Sequence, residues 1–243
     1  MKGFESLECE HDDVVLRGLL VRPDAGVSHA PAPGGAVLMF PGATGPSDSF
    51  FQAMREIAAG GRLVVAPDMY GVGADLSTNA AAGTYFAALM AKPALLRERL
   101  LVWFERVRAL PDVDPERIAA IGYCFGGKCV LELARSGAPV RSVTSFHGLL
   151  GTHAPAQPGA VRARVAVWTG GEDPYAPPAD VEALRAELDA AGVDYQLTLF
   201  AKVAHAFTDP DHDGIAPGIA YDRTAHRIAW NGTIALLEES IDL

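Results

Sequence analysis

Cysteine is scarce in this chain, with Cys9, Cys124 and Cys129 the three in 243 residues. Their odd number and spacing give neither a disulfide framework nor a metal-type pair, which points to a reducing compartment. Basic residues are also in deficit, 20 Lys and Arg against 30 Asp and Glu, for a net charge of −10. That balance argues against nucleic acid and anionic membranes as partners. No apolar run is long enough to span a bilayer. The segment Met1 to Glu8 lacks the apolar core of a secretory signal. The cytoplasm is therefore the expected location. No internal repeat, low-complexity tract or second-domain signal is present, so residues 1–243 read as a single domain. A composition 49% hydrophobic and 21% charged fits a globular protein with a sizeable core.

Apolar runs and their breakers set the fold class. Two short antiparallel strands are expected in 6–22, turning at Asp12-Asp13. Ala25 to Gly35, rich in Ala, Pro and Gly, reads as a surface loop. Ala36 to Phe40 is a continuous apolar run stopped by Pro41-Gly42, as a strand buried on both faces would be. Ser47 or Asp48 caps a helix to Ala59, which Gly60-Gly61 ends. Strand Leu63 to Ala66 follows, and then an irregular stretch from Val72 to Lys92 that is expected to contribute pocket wall. Pro93 opens a helix to Leu110 with Leu96, Leu100, Trp103, Phe104 and Val107 on one face. Further strands are expected at Ile118 to Ile121, Val140 to Phe146, Ala163 to Trp168 and Tyr195 to Phe200. Helices are expected at Pro178 to Ala191 and Ile219 to Glu239. Such alternation predicts an α/β fold, a mostly parallel sheet of about eight strands with helices on both faces. Ligands in such sheets bind at the carboxyl ends of the strands.

The chemistry concentrates at Ile118-Ala119-Ala120-Ile121-Gly122-Tyr123-Cys124-Phe125-Gly126-Gly127. An apolar strand breaks at glycine, a cysteine sits at the bend, and a helix-like run follows. This is the nucleophile-elbow pattern with Cys as nucleophile. The glycines leave room around a strained bend. The helix aims its positive end at the sulfur and favours thiolate. A thiol at its ordinary pKa still needs a base, and the order in this kind of site is nucleophile, acid, histidine. Asp173 and His205 each follow a strand end downstream of Cys124, so His205 is the expected base and Asp173 its orienting acid. Glu172 is the alternative acid, with Asp173 favoured because Pro174 sets a turn beginning at it. The oxyanion hole is expected from the N–H groups of Phe125 and Ala43.

The remaining candidates have bland readings beside them. His147 ends a strand near the elbow but precedes the acid, and reads as a pocket-lining or structural residue. His11, His29, His153, His212 and His226 have no case from chain order. His212 stands among Asp209, Asp211 and Asp213, which reads as a solvated acidic turn rather than a metal site. Cys129 reads as a buried core thiol. The expected pocket lining is Gly42, Tyr70, Val72, Tyr123, His147, Tyr175 and Phe207. No cofactor or metal is expected.

The sequence resembles the dienelactone hydrolase family of α/β-hydrolases. The resemblance is carried by Pro67-Asp68-Met69-Tyr70, Gly122-Tyr123-Cys124-Phe125-Gly126-Gly127, Phe146-His147-Gly148, Gly170-Gly171-Glu172-Asp173 and His205-Ala206-Phe207. It implies the α/β-hydrolase fold, a Cys–Asp–His triad on Cys124, Asp173 and His205, and hydrolysis of a lactone or ester through a thioester. It departs at three positions. The family's founding enzymes carry a glutamate matching Gly42 and two substrate-binding arginines matching Val72 and Asp209. The expectation is thus a hydrolase of small esters, lactones or thioesters. An acyl transferase or peptidase using the same triad is one alternative. A catalytically weak fold acting in ligand binding or thiol redox sensing is the other.

Overall fold

The computed structural model describes residues 3–23 and 33–242, so His29 and the loop expected from Ala25 lie outside it up to residue 32. Strand β1 (Glu5–His11) pairs antiparallel with β2 (Val14–Val21), turning at Asp12, whose φ is 51°. Then follow β3 (Gly34–Phe40), α1 (Asp48–Ala59), β4 (Leu63–Ala66), α2 (Asn79–Met90) and α3 (Pro93–Arg108). The second half runs β5 (Val113–Tyr123), α4 (Phe125–Arg135), β6 (Ser142–Phe146), β7 (Arg164–Gly170), α5 (Pro178–Ala191), β8 (Tyr195–Phe200) and α6 (Arg223–Ile241). All eight strands form one sheet in the order β1-β2-β4-β3-β5-β6-β7-β8, parallel from β4 to β8.

The central strands are apolar on both faces because both are covered. Leu38, Phe40 and Ala120 pack with Leu100, Trp103, Val130 and Leu184 on the face of α3, α4 and α5. Val37, Met39 and Ile121 pack with Met54, Ile57, Leu237 and Ile241 on the face of α1 and α6. The expected face of α3 is the buried one, Leu96, Leu100, Trp103, Phe104 and Val107.

Two expectations need correction. The stretch from Val72 to Lys92 is not irregular throughout, because it holds α2, capped by the Thr78 side chain, which accepts from the Ala81 N–H. Only Ala82 and Leu89 of that helix are buried, so no apolar stripe announces it. The last helix starts at Arg223 rather than Ile219, because Asp222 caps it and Ile219 instead bridges to His205.

Candidate active site

Loops at the carboxyl ends of β3 to β8 converge on one place. Strand β5 ends at Tyr123 and α4 begins at Phe125, so Cys124 occupies the bend with φ 54° and ψ −114°. Such strain in an L-residue persists only where the surroundings fix it. Here the Cys124 N–H donates to the Phe146 carbonyl on β6 at 3.0 Å. The flanking glycines are a steric requirement. A Cβ on Gly122 would lie 1.9 Å from the Gly126 carbonyl oxygen, and one on Gly126 would lie 2.1 Å from that of Phe40. Among the described non-glycine residues, four have positive φ, and three of them, Cys124, His147 and Ala206, belong to this place.

After β7 the chain turns at Asp173, whose Oδ1 accepts from the Tyr175 N–H at 2.8 Å. After β8, the His205 N–H donates to the Gly218 carbonyl at 2.9 Å and the His205 carbonyl accepts from Ala220 at 3.1 Å. These two loops bring Nδ1 of His205 to 2.8 Å from Oδ2 of Asp173, both residues buried. Glu172, by contrast, is exposed. Burial works against a charged His205, yet hydrogen bonds to Asp173 and Cys124 and their charges outweigh it, raising the imidazole to about 9. With Nδ1 committed to the carboxylate, Nε2 is the nitrogen left for the sulfur.

His147 is buried beside them, its Nε2 2.8 Å from the Thr208 hydroxyl, and its Nδ1 meets no partner among the described residues. Burial and then the neighbouring His205 push its pKa well below the ordinary value, so it is neutral.

A cavity of about 530 Å³ opens over Cys124 and His205. Of the residues expected to line it, Gly42, Tyr123, His147 and Tyr175 do, and so does Ala43. Tyr70 faces an adjoining cavity of about 220 Å³ that shares Gly42 with the first. Val72 lines neither cavity; it is half exposed, with its N–H tied to the Val15 carbonyl at 2.8 Å. Phe207 is not lining either, because it is fully buried under His147, ring centroids 5.4 Å apart. Cys129 is fully buried, and burial raises its thiol well above the ordinary value.

The acidic turn is exposed at Asp211 and Asp213, as expected, but Asp209 and His212 are half-buried. Asp209 accepts from the Ser49 hydroxyl at 2.8 Å and the Ser47 hydroxyl at 3.1 Å, and pairs with Nδ1 of His212 at 2.8 Å. Asp211 accepts from the Ser49 N–H at 2.7 Å. The turn is thereby latched onto the N-terminus of α1, where a carboxylate meets free N–H groups and the positive end of the helix. This latch brings Asp209 and His212 into the cavity wall, with Glu56, Tyr221 and His226 also lining it. Of these residues, the family resemblance marks Asp209, and the sequence carries no signal for the others. Among the described residues, no lysine or arginine lines this cavity.

The two expected oxyanion donors flank Cys124. Phe125 is the first residue of α4, where an N–H has no partner within the helix. Ala43 follows β3, next to Gly42, and a Cβ on Gly42 would lie 3.8 Å from that of Cys124. The position of the family's glutamate thus carries no side chain against the sulfur.

A model of the dienelactone hydrolase family matches residues 16–241. The chain belongs to that family. Its fold is the α/β-hydrolase fold, and the family makes it a hydrolase of the lactone- and ester-cleaving class. An uncharacterized protein of Caenorhabditis elegans is 34% identical over 149 residues, which are 60% of this chain and 94% of that protein. A Salmonella typhimurium protein provisionally named carboxymethylenebutenolidase is 23% identical over 239 residues, covering 94% of this chain and 86% of its own length. A dienelactone hydrolase-like promiscuous phosphotriesterase from metagenomic libraries superposes with a TM-score of 0.88, 30% identity and 98% of both chains covered. No helix among the described residues is long and apolar enough to cross a membrane.

Proposed function

We propose that this enzyme hydrolyses small uncharged esters or lactones through a thioester on Cys124. The observation that carries this reading is the buried Asp173–His205 pair at 2.8 Å, which shares one cavity with the elbow cysteine. In the first step the Cys124 proton passes to Nε2 of His205, whose raised pKa favours the resulting imidazolium, and the sulfur attacks the acyl carbon. The N–H groups of Phe125 and Ala43 receive the negative charge that develops on the acyl oxygen. The alkoxide leaves with the proton from His205, and the thioester remains. Water then attacks it, gives a proton to His205, and the carboxylic acid departs as that proton returns to the sulfur. Asp173 holds the imidazole in the required tautomer and stabilises its charged form.

The preference for an uncharged substrate rests on the cavity. Among the described residues it has no lysine or arginine lining and two acidic residues, Glu56 and Asp209. An anionic lactone would meet no guanidinium, the group best matched to a carboxylate. A neutral phosphotriester meets the same charge condition and belongs on the substrate panel.

The test is turnover of short chromogenic esters, lactones and phosphotriesters by the protein and by Cys124→Ala. The reading expects ester or lactone turnover that the substitution removes. Equal rates in both proteins would sink it. Added alcohols or amines that divert the acyl group into new esters or amides would instead place the enzyme among acyl transferases.

A further inference from the structure

The Pro67-to-Tyr70 segment has no task in the chemistry above, yet its tyrosine touches both proposed oxyanion donors. The Tyr70 hydroxyl donates to the Ala43 carbonyl at 3.0 Å. Its ring lies flat on that of Phe125, centroids 5.9 Å apart and planes 11° apart. We propose that Tyr70 is the positioning residue of the oxyanion hole, keeping the N–H groups of Ala43 and Phe125 convergent on the acyl oxygen. The proposal rests on the assignment of those two donors.

The geometry supports a device rather than a chance contact. The hydrogen bond fixes the peptide that follows Ala43, while the peptide that carries the Ala43 N–H is held by its Gly42 carbonyl, which accepts from the Gly45 N–H at 3.1 Å, so both sides of Ala43 are tied. The stack holds the first residue of α4, whose N–H is the other donor. One side chain therefore references two loops from different strands, β3 and β5, to each other. Such a clamp is useful only if it is itself rigid. The Asp68 carboxylate accepts from the N–H groups of Tyr70 at 2.8 Å and Gly71 at 3.0 Å. Arg99 donates to the carbonyls of Met69 at 2.6 Å and Tyr70 at 3.3 Å, and the Trp103 indole donates to that of Asp68 at 2.7 Å. Arg99 and Trp103 are buried residues of α3. Tyr70 is thus anchored to a core helix although it sits in a loop. Burial, followed by the two nearby cysteines, raises its phenol far above the ordinary range, so the hydroxyl remains a donor at every working pH.

Tyr70→Phe separates the two contacts, since it removes the hydrogen bond and keeps the stack. The readouts are kcat and KM for the best ester, and affinity for a matched inhibitor pair. A trifluoromethyl ketone forms a tetrahedral oxyanion on Cys124; the corresponding alcohol has the same shape and cannot. The substitution is expected to lower kcat about tenfold to a hundredfold, the cost of a misplaced catalytic group, and to weaken the ketone by a similar factor. KM should stay within about threefold, with alcohol affinity and melting temperature unchanged. Wild-type kcat and ketone affinity in Tyr70→Phe would overturn the proposal. So would equal weakening of ketone and alcohol, which would mean that Tyr70 only shapes the pocket. Failure of the underlying mechanism has a different signature, persistent turnover in Cys124→Ala.

Discussion

His147 and His205 stand edge to face with ring centroids 5.0 Å apart, and their surroundings drive them to opposite charge states. His205 has a carboxylate on Nδ1 and shares its cavity with Cys124, and these two neighbours favour the imidazolium despite burial. His147 has only the Thr208 hydroxyl, and burial keeps it neutral. Two adjacent imidazolium ions would repel each other, so a neutral His147 is a condition for charging His205.

This opposition predicts two pH signatures. The pKa of His205 is raised from 6.5 to about 9, so its contribution to stability is fully present below 6.5 and is lost as pH rises through about 9. The melting-temperature difference between the protein and His205→Gln should shrink over that window. The pKa of His147 is lowered, so the unfolded chain takes up the proton first, and its cost appears as pH falls below its ordinary 6.5. His147→Gln should flatten the acid limb and leave the alkaline limb alone. Parallel melting curves across pH for both variants would contradict the assignment.

The two neighbouring acids separate cleanly. Asp173→Asn keeps the volume but withdraws the charge facing His205, and kcat should fall roughly a thousandfold or more. Glu172→Gln changes an exposed residue and should alter kcat/KM by less than about twofold. Steady-state kinetics of the two variants decides, and the reverse pattern would move the acid to Glu172.

The elements that carry Cys124, Asp173 and His205 are legible in the sequence because each is bounded by local chemistry. The bounds of α5 follow from Pro178 at its start and Gly192, with φ 67°, at its end. Strand β4 and strand β8 are apolar or alternating runs with clear breakers. Helix α2 is not legible because Ala-rich residues around Gly83 bury almost nothing and leave no period to read. The family match marks Asp209 alone, and the pocket wall at Asp209 and His212 is hidden from local patterning for another reason. It depends on hydrogen bonds to Ser47 and Ser49, whose separation from Asp209 is 162 and 160 residues. Val72 and Phe207 show the limit of motif matching, which locates a backbone position but not the direction of its side chain.

The elbow glycines should be intolerant of a single methyl. In Gly126→Ala the new Cβ would lie 2.1 Å from a backbone oxygen that no rotamer change can relieve. Urea denaturation should show a loss of about 4 kcal/mol or more, or no folded protein. Gly83→Ala, in α2 with nothing within 4 Å of the added Cβ, should be neutral or stabilising by up to about 1 kcal/mol. Equal effects at the two positions would refute the close-approach argument.

Cavity charge should be visible in specificity. A neutral butyrate ester should exceed the matching hemisuccinate in kcat/KM by about tenfold or more, since the carboxylate would face Asp209 and Glu56 without a cation. Asp209→Asn should narrow that ratio. A preference for the hemisuccinate would contradict the uncharged-substrate reading.

The most direct test of the mechanism is to trap the acyl-enzyme. Burial pushes Cys9 up to about 11 and holds Cys129 well above the ordinary thiol value, so neither competes as a thiolate at neutral pH. Acid quenching of a slowly hydrolysed ester within one turnover, followed by peptide mass spectrometry, should find one acyl group on the peptide containing Cys124, with none in Cys124→Ala. An active enzyme that carries no acyl group there, or carries it on another residue, would contradict nucleophilic catalysis at the elbow.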